Sequence, residues 1–179
     1  MNFDLTGKNA LVCGSSRGIG KAAAIELAAL GANVTLVARN IERLGAVLEA
    51  LDRTKGQNHD FFSADFSDPA DLQKKVNGLA AQKAIHILIN NTGGPAGGPA
   101  HLAQLDEFTA AFNNHLICNH VLVKALIEGM KKEGYGRIIN VISTSVKQPL
   151  DGLGVSNTIR GAVANWSKTL ANELGAFGI

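Results

Sequence analysis

A glycine-rich segment near the amino terminus has the composition of an anion-binding turn. Gly14, Gly18 and Gly20 follow an apolar run, Ala10 to Cys13, and open onto an alanine-rich stretch. A buried strand that turns directly into a helix presents backbone N–H groups and the positive end of the helix dipole. Gly14 permits the tight turn, Gly18 lets a pyrophosphate approach the backbone, and Gly20 lets the helix pack closely. The segment therefore predicts dinucleotide binding; the alternative is a purely structural glycine turn.

Two arginines and a missing carboxylate predict which dinucleotide is preferred. NAD-binding proteins place an acidic residue at the end of the second strand, where it binds the ribose 2′-hydroxyl. That place holds Ala38 here, followed by Arg39, and Arg17 lies within the glycine-rich segment. Guanidinium groups bind phosphate through forked, charge-assisted hydrogen bonds. The residues therefore predict NADP(H), whose ribose carries a 2′-phosphate; the alternative is that both arginines are solvated surface residues.

Apolar, β-branched runs alternate along the chain with segments of helical periodicity, and these elements must position the glycine-rich segment. The strands are predicted over 10–13, 33–38, 61–65, 84–90 and 137–142. Helices are predicted after Gly18 and over 41–51, 69–83, 106–132 and 155–175. Five strands separated by helices predict one doubly wound parallel sheet, with helices on both faces in three α/β/α layers. Residues 1–179 are predicted to form a single domain.

The composition is that of a packed globular protein without a polyanionic partner. Hydrophobic residues make up 46% of the chain and charged residues 18%, with a net charge of +2. This charge is too small to favour nucleic acid or an anionic membrane surface. The sequence has no secretory signal and no apolar run of transmembrane length, so a cytoplasmic location is predicted. Cys13 and Cys118 are predicted to be buried and unpaired, and no metal site is predicted.

Further motifs extend the pattern beyond the glycine-rich segment. Asp65 follows the third strand, Asn-Asn-Thr-Gly occupies 90–93, and Gly-Arg-Ile-Ile-Asn-Val-Ile-Ser leads to Ser143. With these motifs the chain resembles the short-chain dehydrogenase/reductases, which are Rossmann-fold NAD(P)(H) oxidoreductases, over residues 5–179. Within that family it is most similar to the β-ketoacyl-carrier-protein reductases. The resemblance implies NADPH-dependent reduction of a 3-oxoacyl thioester-like carbonyl, a role in fatty acid biosynthesis, and a homodimer or homotetramer.

The resemblance and the glycine-rich segment together predict the residues that contact the cofactor. They are Gly14, Ser16, Arg17, Gly18, Ile19, Gly20, Arg39, Asp65, Phe66, Asn91, Thr92 and Gly93. The family continues into a sixth strand, a substrate-covering segment and a seventh strand. The expectation is therefore a Rossmann-like sheet without those strands, and the sequence leaves open whether the chain is a fragment.

The catalytic positions depart from the family pattern. Thirteen residues after Ser143, where the family has its tyrosine, this chain has Ser156; four residues later, Arg160 replaces the family lysine. The helical asparagine of the family's proton relay corresponds to His115. Reduction of a carbonyl requires a proton donor, and a serine hydroxyl is a far weaker acid than tyrosine. Tyr135, the only tyrosine, precedes the fifth strand and is predicted to lie at the opposite end of the sheet.

Ser143, Ser156, Arg160 and His115 are therefore the predicted catalytic residues, with roles that the sequence leaves partly open. Arg160 and Ser143 can stabilise a developing oxyanion, and His115 is expected to titrate in the range of a proton donor. The alternatives are that His115 is a structural helix residue and that Arg160 anchors the ribose or pairs with Asp151. Two functions follow: an NADPH-dependent carbonyl reductase, or a non-catalytic NADP-binding protein with a degenerate site.

Overall fold

The computed structural model describes residues 3–179, which form a five-stranded parallel sheet covered by helices. The strands are β1 (Asn9–Cys13), β2 (Asn33–Ala38), β3 (Asp60–Ser63), β4 (Ile87–Asn90) and β5 (Arg137–Asn140). The helices are α1 (Gly18–Ala29), α2 (Ile41–Glu49), α3 (Pro69–Gln82), α4 (Leu105–Phe112), α5 (Cys118–Glu133) and α6 (Gly154–Leu174). The spatial strand order β3-β2-β1-β4-β5 confirms the predicted Rossmann-like sheet.

Residues of β1 alternate between two hydrophobic cores, because successive side chains point to opposite faces of a sheet. Leu11 and Cys13 pack with residues of α3 and α5. Ala10 and Val12 face the other way and pack with residues of α1 and α2. Cys13 and Cys118 are buried free thiols as predicted, and burial raises the pKa of both, that of Cys118 to about 12. The three-layer arrangement is therefore specified by apolar residues on both faces of β1.

Local signals determine where several helices begin and end. Asp68 accepts a hydrogen bond from the Asp71 amide at 3.0 Å, and Pro69 is the first residue of α3. This combination satisfies an exposed N–H group and pre-sets the first helical dihedral angle. Gly134 ends α5 with a φ of 60°, a left-handed conformation that glycine adopts readily. None of the helices in residues 3–179 combines the length and hydrophobicity of a membrane span.

The predicted helix over 106–132 is wrong in its interior, where a π-helical turn, Asn113–Ile117, separates α4 from α5. A π turn accommodates one extra residue and changes which side chains face inward. Side-chain periodicity gave no sign of it, because both flanking segments keep α-helical spacing. Beyond β5, Thr144–Val146 form a short 3₁₀ turn.

Candidate active site

A cleft of about 630 Å³ opens at the carboxyl edge of the sheet, where the segment after β1 meets the loop after β4. These strands are neighbours, but the chain leaves them toward opposite halves of the sheet, so a crevice forms above the point where the two segments touch. Of the twelve residues predicted to contact the cofactor, all but Gly20 line this cleft. The lining residues from that prediction are Gly14, Ser16, Arg17, Gly18, Ile19, Arg39, Asp65, Phe66, Asn91, Thr92 and Gly93.

The three glycines of the turn have different surroundings. Gly14 and Gly18 adopt φ angles of 60° and 56°, a region that disfavours other residues. A Cβ atom on Gly18 would meet no protein atom within 4 Å, so its backbone is open to the cleft. A Cβ atom on Gly20 would overlap the carbonyl oxygen of Gly14, because α1 packs directly against the turn. Gly20 therefore lies beneath the cleft and supports its floor.

The first turn of α1 presents backbone N–H groups that no side chain caps. Arg17 occupies the N-cap position without a capping hydrogen bond, and the first turn contains no acidic residue. The amide of Asn91 donates to the carbonyl oxygen of Cys13 at 3.3 Å and so ties the loop after β4 to the glycine turn. The uncapped helix end and its dipole are suited to a phosphate group.

Three arginines line the cleft, one more than the sequence analysis identified. Arg17 and Arg39 were predicted, and Arg43 joins them from the first turn of α2. Asn40 caps this helix by accepting from the Arg43 amide at 2.8 Å. Arg39 precedes the N-cap Asn40 and lies outside α2, so no helical spacing links it to Arg43. Asn40, Gly94 and Asn114 also line the cleft and were not predicted.

Asp65 is the acidic residue among the cleft-lining side chains. Its pKa is lowered mainly because its carboxylate accepts a hydrogen bond from the Ser67 amide at 2.9 Å. Arg39 lies 4.0 Å from the carboxylate, with both side chains largely exposed, so this ion pair is weak. Arg39 therefore remains available to an anion while Asp65 is held by its own turn.

Ser143 and Arg160 meet at the same edge of the sheet, beyond β5. The Ser143 hydroxyl oxygen accepts from the Ser145 amide at 3.1 Å, which leaves its own proton available for donation. Arg160 donates from Nη1 to the carbonyl oxygen of Val141 at 2.9 Å. The alternative pairing of Arg160 with Asp151 is wrong, since no ion pair in residues 3–179 includes either side chain.

Ser156 lies one helical turn before Arg160 on α6, so the two side chains share a helix face. Ser156 is half-buried and makes no side-chain hydrogen bond with residues 3–179. The neighbouring Asn157 donates to the carbonyl oxygen of Leu150 at 2.8 Å, which anchors the preceding loop to α6. The positions that replace the family tyrosine and lysine thus present one hydroxyl and one guanidinium.

His115 occupies the π-helical turn and is only 2% exposed. Burial, chiefly, and the positive charge of Arg160 together lower its pKa to about 4. The expectation that His115 titrates in the range of a neutral-pH proton donor is therefore wrong. At pH 7 the imidazole is neutral, and it offers a polar group rather than an acidic proton.

Replacement of His115 by Asn should reduce the acid sensitivity of folding. A folded-state pKa of about 4, against 6.5 in the unfolded chain, means that the unfolded state binds more protons between these values. The wild-type free energy of unfolding should therefore fall by roughly 3 kcal/mol between pH 7 and pH 4 because of this residue. In His115→Asn this part of the fall in the free energy of unfolding should be absent, as measured by urea denaturation at several pH values between 7 and 4.

Burial also lowers the pKa values of His59 and His86. Wild type and His115→Asn both contain these two residues, so their effects on the pH dependence of unfolding cancel when the two are compared. Identical pH dependence of unfolding in wild type and His115→Asn would contradict the assignment of a buried, neutral His115.

Comparisons with known proteins agree with the fold and identify the family that the chain matches. The family model described as short chain dehydrogenase matches residues 8–179. Hydroxysteroid dehydrogenase-like protein 1 of Gallus gallus is 32% identical over 175 residues, and inactive hydroxysteroid dehydrogenase-like protein 1 of Homo sapiens is 30% identical over 175. Each alignment covers 97% of this chain and 53% of the relative, so the chain spans about half the length of these proteins.

A solved structure extends the similarity to the whole chain. L-sorbose reductase from Gluconobacter frateurii, crystallised with NADPH and L-sorbose, superposes with a TM-score of 0.93 at 29% identity. The superposition covers 100% of this chain and 68% of the reductase.

Proposed function

The chain belongs to the short chain dehydrogenase family, and from this premise we propose that it is an NADPH-dependent oxidoreductase that reduces a carbonyl group to an alcohol. The observation that carries the proposal is one cleft lined by the glycine turn, three arginines and Gly94. Gly94 in turn lies next to the guanidinium of Arg160. Such a cleft brings a dinucleotide site and a group able to stabilise an oxyanion to one edge of the sheet. We further propose that residues 1–179 act as one NAD(P)-binding domain.

The cleft fits NADPH better than NADH. Arg17, Arg39 and Arg43 provide three guanidinium groups, and β2 ends on Ala38 rather than on a carboxylate. The open backbone of Gly18 and the uncapped first turn of α1 suit the pyrophosphate. This support for NADPH agrees with the crystallised ligand of the sorbose reductase.

NADPH held in the cleft would supply the hydride for the carbonyl carbon, and the substrate oxygen would then carry the negative charge of an alkoxide. The Arg160 guanidinium and the Ser143 hydroxyl are the donors placed to stabilise that oxygen. Neither His115, which is neutral at pH 7, nor Ser156 is a sufficiently strong acid to protonate it. We propose that the proton reaches the alkoxide from bulk solvent through water in the cleft, and that the Ser156 hydroxyl relays it by accepting one proton as it donates another.

The substrate class can be narrowed through the motifs that resemble β-ketoacyl-carrier-protein reductases. We propose a 3-oxoacyl compound, with a thioester as the form that this resemblance implies. A cytoplasmic homodimer or homotetramer is part of the same proposal. The cofactor and the substrate class are tested by titration of the purified chain with NADPH, followed by measurement of NADPH oxidation with 3-oxoacyl thioesters, diketones and aldehydes.

A second function is supported by two observations. Ser156 stands where the family has its tyrosine, and one relative is named an inactive hydroxysteroid dehydrogenase-like protein. The chain would then bind NADP without catalysing reduction.

Restoration of the family residues with Ser156→Tyr and Arg160→Lys distinguishes these functions. If the present arrangement is the working site, kcat/KM should fall by about tenfold or more, because the guanidinium that stabilises the oxyanion is lost. Steady-state NADPH oxidation measures the change, and urea denaturation verifies that the double variant remains folded. A large gain in kcat/KM would instead support the degenerate, non-catalytic protein, since a missing general acid costs about 10²–10⁴ in rate.

A further inference from the structure

The guanidinium of Arg160 is held in place by the backbone at the carboxyl edge of the sheet. Arg160 lies in the second turn of α6, and its Nη1 donates to Val141, the residue that follows β5, at 2.9 Å. Gly94 lines the cleft, and a Cβ atom added there would lie 3.7 Å from Nη2 of Arg160. A side chain at Gly94 would therefore approach the guanidinium. The hydrogen bond to Val141 uses one of the five N–H donors of the guanidinium.

The positive charge of Arg160 has no carboxylate partner within the part of the chain that the structure describes. The ion pairs found there all involve other side chains. His115, the titratable group whose charge Arg160 influences, is neutral at pH 7. Burial lowers the pKa of Arg160 but leaves it charged, because arginine is not deprotonated in proteins. A partly buried charge without a counter-ion is unfavourable, so an anion bound here would be stabilising.

The chemistry of the site favours a carboxylate over the other groups that could approach it. A guanidinium is planar and binds a carboxylate through two parallel N–H···O hydrogen bonds. The phosphates of the proposed cofactor have separate cations in Arg17, Arg39 and Arg43. A ribose hydroxyl is neutral and would leave the charge of Arg160 uncompensated.

We propose that Arg160 binds the carboxylate of a 3-oxo acid, so that the substrate is the free acid rather than its thioester or ester. This inference rests on the proposed reductase function, keeps the 3-oxoacyl group, and replaces the thioester that the resemblance implies with the free acid. The reaction converts the 3-oxo carboxylate, NADPH and one proton into the 3-hydroxy carboxylate and NADP⁺. The carboxylate itself is unchanged and orients the carbonyl group. It takes two of the five N–H donors of Arg160 and Val141 takes one, so the remaining donors and Ser143 serve the carbonyl oxygen.

The test compares acetoacetate with its methyl ester and its N-acetylcysteamine thioester, which share the same 3-oxo group. Calorimetry gives the Kd of each probe for the full chain, alone and with NADP⁺, where no reduction takes place. The variants are Arg160→Met, Arg160→Lys and the control Lys147→Met, which removes an exposed cation from the loop after β5. The Kd of NADPH is measured for every variant, and kcat/KM is measured wherever NADPH is oxidised.

Wild type should bind acetoacetate about 10- to 100-fold more tightly than the neutral probes, as expected for charge-assisted hydrogen bonds. Arg160→Met should abolish this preference while the Kd of NADPH stays within about threefold, because the cofactor phosphates have other cations. Arg160→Lys should keep part of the preference, since it retains the charge but not the fork. Lys147→Met should behave as wild type.

Two results would overturn the inference. One is an equal Kd for acetoacetate and its methyl ester in wild type; the other is an Arg160→Met variant that loses NADPH affinity instead of acetoacetate affinity. Failure of wild type to bind NADPH would overturn the proposed function itself. In that case the acid–ester comparison in the cofactor-free chain still decides whether Arg160 binds a carboxylate.

Discussion

Gly20→Ala should weaken NADPH binding by about tenfold or more and lower the free energy of unfolding by about 1–3 kcal/mol, as overpacking does. The added Cβ atom would overlap the carbonyl oxygen of Gly14 and lie 2.8 Å from Nδ2 of Asn91. Relief requires α1 to move away from the turn, and this movement displaces the N–H groups proposed to bind pyrophosphate. Calorimetric titration with NADPH and urea denaturation measure the two effects.

Gly78→Ala is the matched control, because Gly78 lies within α3 and a Cβ atom there would meet no protein atom within 4 Å. Alanine has the higher helix propensity, so this variant should gain about 0.5–1 kcal/mol of stability and bind NADPH unchanged. Alanine at position 20 has the same advantage in helix propensity. The difference in the free energy of unfolding between the two variants therefore measures the cost of the overlap. Unaltered NADPH affinity in Gly20→Ala would contradict the role assigned to the turn.

Arg39→Asp should reverse the cofactor preference, so that NADH binds more tightly than NADPH. The substitution removes a guanidinium from the cleft and places a carboxylate at the end of β2, where it repels a 2′-phosphate and accepts a ribose hydroxyl. A change of charge-assisted hydrogen bonding of this kind corresponds to about 10- to 1000-fold in the NADPH/NADH affinity ratio. Calorimetry with both dinucleotides gives that ratio directly.

Lys74→Asp supplies the same change in charge on the exposed surface of α3 and should leave the ratio as in wild type. Raising the salt concentration should weaken NADPH more than NADH in wild type, since the exposed arginines are screened. Equal dissociation constants for the two dinucleotides in the wild-type chain would refute the assignment of Arg39 and its neighbours to the 2′-phosphate.

The sheet could be predicted from the sequence, because strands and helices leave local and periodic patterns of residue types. Apolar runs alternate with helical segments, Asp68-Pro69 begins α3 as predicted, and the predicted strands correspond to the five observed. Boundaries shifted by a few residues: β4, for example, is Ile87–Asn90 rather than 84–90. Parallel strands place the loops that follow them at one edge of the sheet, so the edge that carries the cleft was predictable. The adjacency of β1 and β4, which places the cleft along that edge, comes from the observed strand order.

The charge state of His115 and the positions of Arg43 and Arg160 became visible in the tertiary structure alone. The π-helical turn that buries His115 depends on packing between helices, and that burial lowers its pKa to about 4 and removes it as an acid at pH 7. Arg43 enters the cleft because α2 begins at Ile41, and Arg160 binds Val141 instead of Asp151. These properties depend on distances between residues far apart in the chain and on exclusion of water, which residue types and spacing do not encode.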